Sequence, residues 1–121
     1  MGYFKRQHSL FLCNQFNISI NGIDYYNKFN VGFEFKETWA KNLKDKFFKI
    51  PLNQVKIARY FVFCENFSNF YIVESQKIRN NYDFNNKSKK ANIRLNSVVK
   101  IALFHTKKIE KLKEIIEMIK E

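Results

Sequence analysis

Two uninterrupted apolar runs, Tyr60 to Cys64 and Phe70 to Val73, flank the polar segment Glu65 to Asn69 and limit the fold more than any other feature of the chain. A strand with one face in water alternates polar and apolar residues, so a run with no polar position has to be covered on both faces. Two such strands joined by a short turn belong in the middle of a sheet, and their cover has to come from elsewhere in the chain. Two helical patterns can supply it. One spans about residues 51 to 60, opened by Pro51, with Leu52, Val55 and Ala58 as its buried stripe; the other is capped by Thr106 and carries Ile109, Leu112, Ile116 and Ile119 on one face. The expectation is an α/β fold, a mixed central β-sheet flanked by helices. With 121 residues, 45% of them hydrophobic and 17% aromatic, the chain has material for one core and little room for a second, so residues 1–121 read as a single domain.

Upstream of the two runs the pattern is that of paired strands. Phe16, Ile18 and Ile20 share one face of an extended stretch, and the Asn21-Gly22 pair marks a turn. A hairpin turn at Lys28 to Asn30 then leads into a segment in which Val31, Phe33 and Phe35 point to the core and Gly32, Glu34 and Lys36 to a polar face. Lys41 to Lys49 reads as a basic connection and Ala91 to Leu95 as a short returning strand. Residues 79–92, rich in Asn and Lys, read as a flexible basic loop.

The charge balance points to a polyanionic partner: 22 Lys and Arg against 11 Asp and Glu leave a formal net charge of +11. Neutralising a phosphate backbone releases condensed counterions, which makes nucleic acid, double-stranded DNA first, the expected partner. Lys41, Lys44, Lys46 and Lys49 on the connection, with Lys87, Lys89 and Lys90 on the loop, are the candidate phosphate contacts; a solvated charged surface is the alternative. No stretch approaches the roughly 20 apolar residues that span a bilayer, so a cytoplasmic protein without a membrane partner is expected. Cys13 and Cys64 lack metal-ligand spacing with His8 or His105 and read as buried, reduced thiols. The 3 glycines of the chain form no phosphate-binding loop.

Chemistry concentrates on the hairpin. With its turn at Lys28 to Asn30, Asp24 and Glu34 lie directly opposite each other, and Lys36 emerges on the same face. Cross-strand Cβ atoms on one face are about 4.5 to 5.5 Å apart, a separation that suits two carboxylates sharing a divalent cation. Without a cation the pair repels; with one, it becomes a site at which a phosphate is polarised and a lysine meets the developing charge. The competing reading is an ordinary exposed Glu34/Lys36 pair on a strand, with Asp24 as a turn residue.

At these residues the chain resembles the PD-(D/E)xK nucleases, the superfamily of type II restriction endonucleases and archaeal Holliday-junction resolvases. Asp24, nine intervening residues and then Glu34-Phe35-Lys36 at the end of a hydrophobic strand carry the likeness. It spans roughly residues 16 to 80 and departs from the family pattern in having Ile23 before Asp24 and no acidic residue further upstream. The resemblance implies a restriction-endonuclease-like fold, Mg²⁺ (or Mn²⁺) held by Asp24, Glu34 and the carbonyl of Phe35, and Lys36 as the catalytic lysine. It adds Gln54, on the following helix, as a further site residue. A metal-dependent endonuclease acting as a homodimer is the expectation that follows. Its rivals are a non-catalytic nucleic-acid-binding module stacking bases on Tyr25, Tyr26 and Trp39, and an inhibitor or interaction protein from a mobile element.

If about five to eight phosphates are neutralised, the logarithm of the DNA-binding constant should fall with the logarithm of salt concentration at about 0.9 per phosphate. Titration at several salt concentrations measures that slope, and a slope near zero removes nucleic acid as the partner.

Overall fold

The computed structural model describes residues 10–16, 23–82, 84 and 89–120. A short helix, α1 (Leu10–Phe16), precedes β1 (Tyr25–Tyr26) and β2 (Gly32–Thr38), which pair antiparallel with Tyr25 opposite Phe33 and Tyr26 opposite Gly32. That register is the one that places Asp24 against Glu34. Strand β2 then pairs in parallel with a later strand, and a parallel neighbour cannot be reached by a tight turn. The chain therefore crosses over through a 3₁₀ turn at Leu43–Asp45, β3 (Phe47–Pro51) and α2 (Leu52–Ile57) before entering β4 (Tyr60–Glu65).

From β4 the sheet continues antiparallel. A turn with Asn66 and Phe67 at positive φ leads into β5 (Asn69–Glu74), followed by α3 (Ser75–Asn81), β6 (Lys90–Arg94), α4 (Leu95–Ile101), β7 (Phe104–Thr106) and α5 (Ile109–Met118). The mixed five-stranded sheet runs β1-β2-β4-β5-β7, and β3 and β6 form a separate antiparallel ribbon. The chain is a single α/β domain, and no helix among the described residues is long and apolar enough to cross a membrane.

Both faces of the sheet are covered. On one, Val31, Phe33, Phe35, Val62, Phe70 and Ile72 pack with Leu12 of α1 and with Leu112 and Ile116 of α5. On the other, Phe61, Phe63 and Val73 meet Phe48, Ile50 and Ile93 of the ribbon, together with Val55, Ile78 and Val98 from α2, α3 and α4. The aromatic residues supply most of this bulk, and burial of such side chains provides the main driving force for folding.

Several segments differ from the sequence expectation. Phe16 ends α1 instead of starting a strand, and the Asn21-Gly22 turn lies outside the described residues. The basic connection contains a strand from Phe47 onward, because Phe48 and Ile50 alternate inward against Ile93 and Ala91 of β6. The helix expected over 51 to 60 ends at Ile57: Ala58 is extended, and Arg59 is engaged through its backbone by Gly32 and Ser75. The expected loop at 79–92 is ordered at both ends, by α3 up to Asn81 and by β6 from Lys90. Thr106 closes β7, and its hydroxyl accepts the Lys108 N–H just ahead of α5. The α4 helix and the β7 strand were not anticipated.

One side chain fixes the β1–β2 turn to the end of the chain. Asn27, 5% exposed, accepts the N–H groups of Phe29 and Val31 at Oδ1, and its Nδ2 donates to the Ile116 and Ile119 carbonyls at the end of α5. Glu117 adds hydrogen bonds from the Tyr25 hydroxyl and the Lys28 N–H. Asn27→Ala leaves buried backbone groups unpaired at both ends and should destabilise the fold by about 1–3 kcal/mol, read as a lowered midpoint in urea unfolding.

Candidate metal and nucleic-acid site

The pairing of β2 with β4 decides which way the chemical residues face. Glu34 lies beside Phe61 and Lys36 beside Phe63, so both point to the sheet face covered by the ribbon and α2. The polar face expected for β2 is thus buried: Glu34 is 2% exposed. Asp24 comes in from the start of β1, where its Oδ2 accepts the Phe35 N–H at 2.8 Å. Its own backbone N–H donates to Glu34, and the two carboxyl groups lie close enough to influence each other's charge. Asp24, Glu34 and Lys36 therefore converge, as the hairpin register requires.

Burial favours the protonated form of Glu34. Its pKa is pushed up from 4.5 to about 8, first by burial and then by the Asp24 charge, against the opposing pull of Lys36. Burial lowers the pKa of the Lys36 ammonium, while Glu34 and Asp24 act to retain its proton; Lys90, within electrostatic reach, pushes the same way as burial. Two carboxyls that can both ionise only with difficulty, beside one lysine, fit the donor set for a small divalent cation. Among the described residues no group of three or more His, Cys, Asp and Glu side chains forms a metal-binding cluster, so a cation here would complete its shell with backbone oxygen, water and phosphate.

Gln54 lies on α2, in the layer that covers this face, and its Oε1 is buried without a hydrogen-bond partner. Such an atom is costly to leave unsatisfied and is suited to a ligand or water. Sequence reasoning passed over Glu37, which is also buried. It projects to the opposite face, where its Oε2 accepts the Leu12 N–H at 2.7 Å and its Oε1 is unpartnered. Burial raises its pKa to about 7, against hydrogen bonds from the Leu12 and Phe11 backbone. Its partner lies 25 residues upstream, so no local spacing signals the contact.

A cleft of about 640 Å³ meets the site at Lys36, which stands in its wall together with Trp39, Asp45, Phe47, Lys49 and Lys90, whereas Asp24 and Glu34 do not line it. Of the other predicted phosphate contacts, Lys41, Lys44 and Lys89 are exposed, and Lys87 lies outside the described residues. Lys46 forms a half-hidden ion pair with Glu65. Cys64 is a buried free thiol whose pKa burial pushes up to about 12, which leaves it unreactive. No protein-family model, curated protein or solved structure matches the chain.

The acidic pair has a consequence for stability. A carboxyl that binds its proton more tightly folded than unfolded favours the fold fully below its unfolded pKa, and that contribution is lost as pH rises through the folded value. The metal-free protein should therefore lose stability between pH 4.5 and about 8, with Glu37 adding a part of the same sign up to about 7. Glu34→Gln should flatten this dependence and leave the Glu37 part. Urea midpoints in EDTA across that pH range check the claim; identical pH profiles for the two proteins would overturn it.

Proposed function

We propose that the chain is a metal-dependent endonuclease that hydrolyses phosphodiester bonds in DNA, on a trimmed restriction-endonuclease-like fold. The observation that carries this reading is the approach of the half-buried Asp24 carboxyl to the buried Glu34 carboxyl, with Lys36 beside both and in the wall of a cleft that Lys49 and Lys90 also line. Element order supports it further. The Asp24 strand, the Glu34-Phe35-Lys36 strand, a helix bearing Gln54 and a buried strand parallel to the second follow one another as the family likeness implies.

In this site Asp24 and Glu34 would hold Mg²⁺ or Mn²⁺, with the Phe35 carbonyl as the further ligand that the likeness implies, and the cation would supply Lewis-acid polarisation of the scissile phosphate. The Phe35 N–H keeps the Asp24 carboxylate aimed at the pair. Lys36 donates from its ammonium to the phosphate oxygen on which negative charge grows, and burial strengthens that interaction by excluding water. Water adds to phosphorus and gives up a proton, the P–O bond to the leaving sugar oxygen breaks, and that oxygen takes up a proton, leaving a phosphomonoester and a hydroxyl end. Lys49 and Lys90 hold the flanking backbone without entering the chemistry.

Glu34→Gln keeps the shape of the site and removes one of two ligand charges, so Mg²⁺ affinity and cleavage should fall together while binding of DNA in EDTA survives. Lys36→Ala should spare metal binding and reduce turnover by about 10²–10³-fold. Metal titration and plasmid nicking on the wild type and both variants measure this. If the wild type binds DNA but cleaves no substrate with Mg²⁺ or Mn²⁺, the chain is a binding module instead.

A further inference from the structure

The outward face of the ribbon combines basic and aromatic residues, whereas its core face is apolar throughout. Antiparallel pairing sets Phe47 opposite Arg94, Lys49 opposite Asn92 and Pro51 opposite Lys90, and strand alternation turns these residues away from Phe48, Ile50 and Ile93. An exposed aromatic ring thus shares one surface with Lys49, Lys90 and Arg94. Phe47, Lys49 and Lys90 from this surface form one side of the cleft, and Trp39, just beyond the end of β2, also lines it. Trp39 is 37% exposed and Phe47 is 42% exposed. Phe67 braces the Trp39 ring at a centroid distance of 3.9 Å and a 59° tilt, which holds the indole in position while part of its surface stays open.

Large aromatic rings left in water beside ammonium groups make poor scaffolding and good stacking platforms, because every base has a π-face and every nucleotide a phosphate. The volume of the cleft, about 640 Å³, is that of a pocket for a single small ligand and far too small for a duplex. A base still paired inside a helix could not reach Trp39 and Phe47, because its faces are covered by its neighbours in the stack.

We propose that this cleft takes an unpaired nucleotide of a polynucleotide strand, its base against Trp39 and Phe47 and its phosphates against Lys49 and Lys90. The substrate then has single-stranded character beside the Asp24, Glu34 and Lys36 site, in place of the intact duplex that net charge alone suggests. The assignment of a substrate rests on the endonuclease reading; the binding itself does not.

Trp39 is the one tryptophan of the chain, so its emission reports the cleft directly. With EDTA present, a short mixed-sequence DNA strand, the same strand as RNA, and the DNA strand annealed to its complement are each titrated into the protein. Quenching by a single strand, with affinity at least tenfold above that for the duplex, is the expected result, and the arm that quenches more strongly identifies the polymer. Trp39→Ala and Phe47→Ala should each weaken single-strand binding by roughly 5- to 150-fold in anisotropy with labelled strands, and Trp39→Phe should retain most of it. If Trp39→Ala fails to fold, the exposed Phe47 position decides the matter. No quenching, equal quenching by duplex, or folded Phe47→Ala with unchanged single-strand affinity overturns the proposal. Quenching without any metal-dependent cleavage supports the cleft and removes the nuclease reading, whereas cleavage with no quenching does the reverse.

Discussion

The parallel pairing of β2 with β4 is the constraint on which the rest of the molecule depends. It makes a crossover obligatory, and the crossover places β3 and α2 over one face of the sheet. The same pairing puts β2 inside the sheet, between β1 and β4, with Glu34 and Lys36 on the face that this crossover covers. With the ribbon and α2 over that face, Glu34 is buried and Lys36 half-buried. Their charge, in a low-dielectric setting, becomes the dominant local fact.

Burying two carboxyls together is unfavourable, and the fold offsets it locally. Asp24 receives the Phe35 N–H, Glu34 receives the Asp24 N–H and holds its proton more tightly, and Lys36 lies within electrostatic reach of both. These contacts lower the cost without removing the repulsion between ionised forms. A cation does remove it, so the charge distribution and the proposed chemistry ask for the same ligand. The position of Asp24 depends in turn on the β1–β2 turn, which Asn27 and Glu117 tie to α5. The end of the chain thus helps to set the geometry of a site built from its first third.

Sequence alone carried the strands that bury both faces and the register that brings Asp24 to Glu34, because each rests on local pattern: an uninterrupted apolar run, or a turn of known position. It carried less where the deciding partner is distant. Phe47 to Pro51 has too few alternating positions to stand out within a lysine-rich stretch, and it becomes a strand only because β6 arrives about 40 residues later to pair with it. Leu95–Ile101 makes less than two full helical turns, too short for a convincing period, and is secured by Leu95 and Val98 in the core. The Glu37 contact with Leu12 and the Lys46–Glu65 ion pair are tertiary events with no spacing to announce them. The Asp24, Glu34 and Lys36 convergence was legible; the depth of its burial was not, because that depends on the layer the ribbon adds.

The ribbon ties core and cleft together more tightly than a loop could. Its inner residues, Phe48, Ile50 and Ile93, are fixed by the hydrophobic face of the sheet, and alternation then leaves Phe47, Lys49 and Lys90 no choice but the outer surface. Burial of three apolar side chains on one side sets the register, because a slip by one residue would expose all of them. The register in turn positions the ammonium groups and the ring on the other side. Recognition residues held in this way need little reordering when a ligand arrives, and that is where a flexible lysine-rich loop of equal charge would lose affinity.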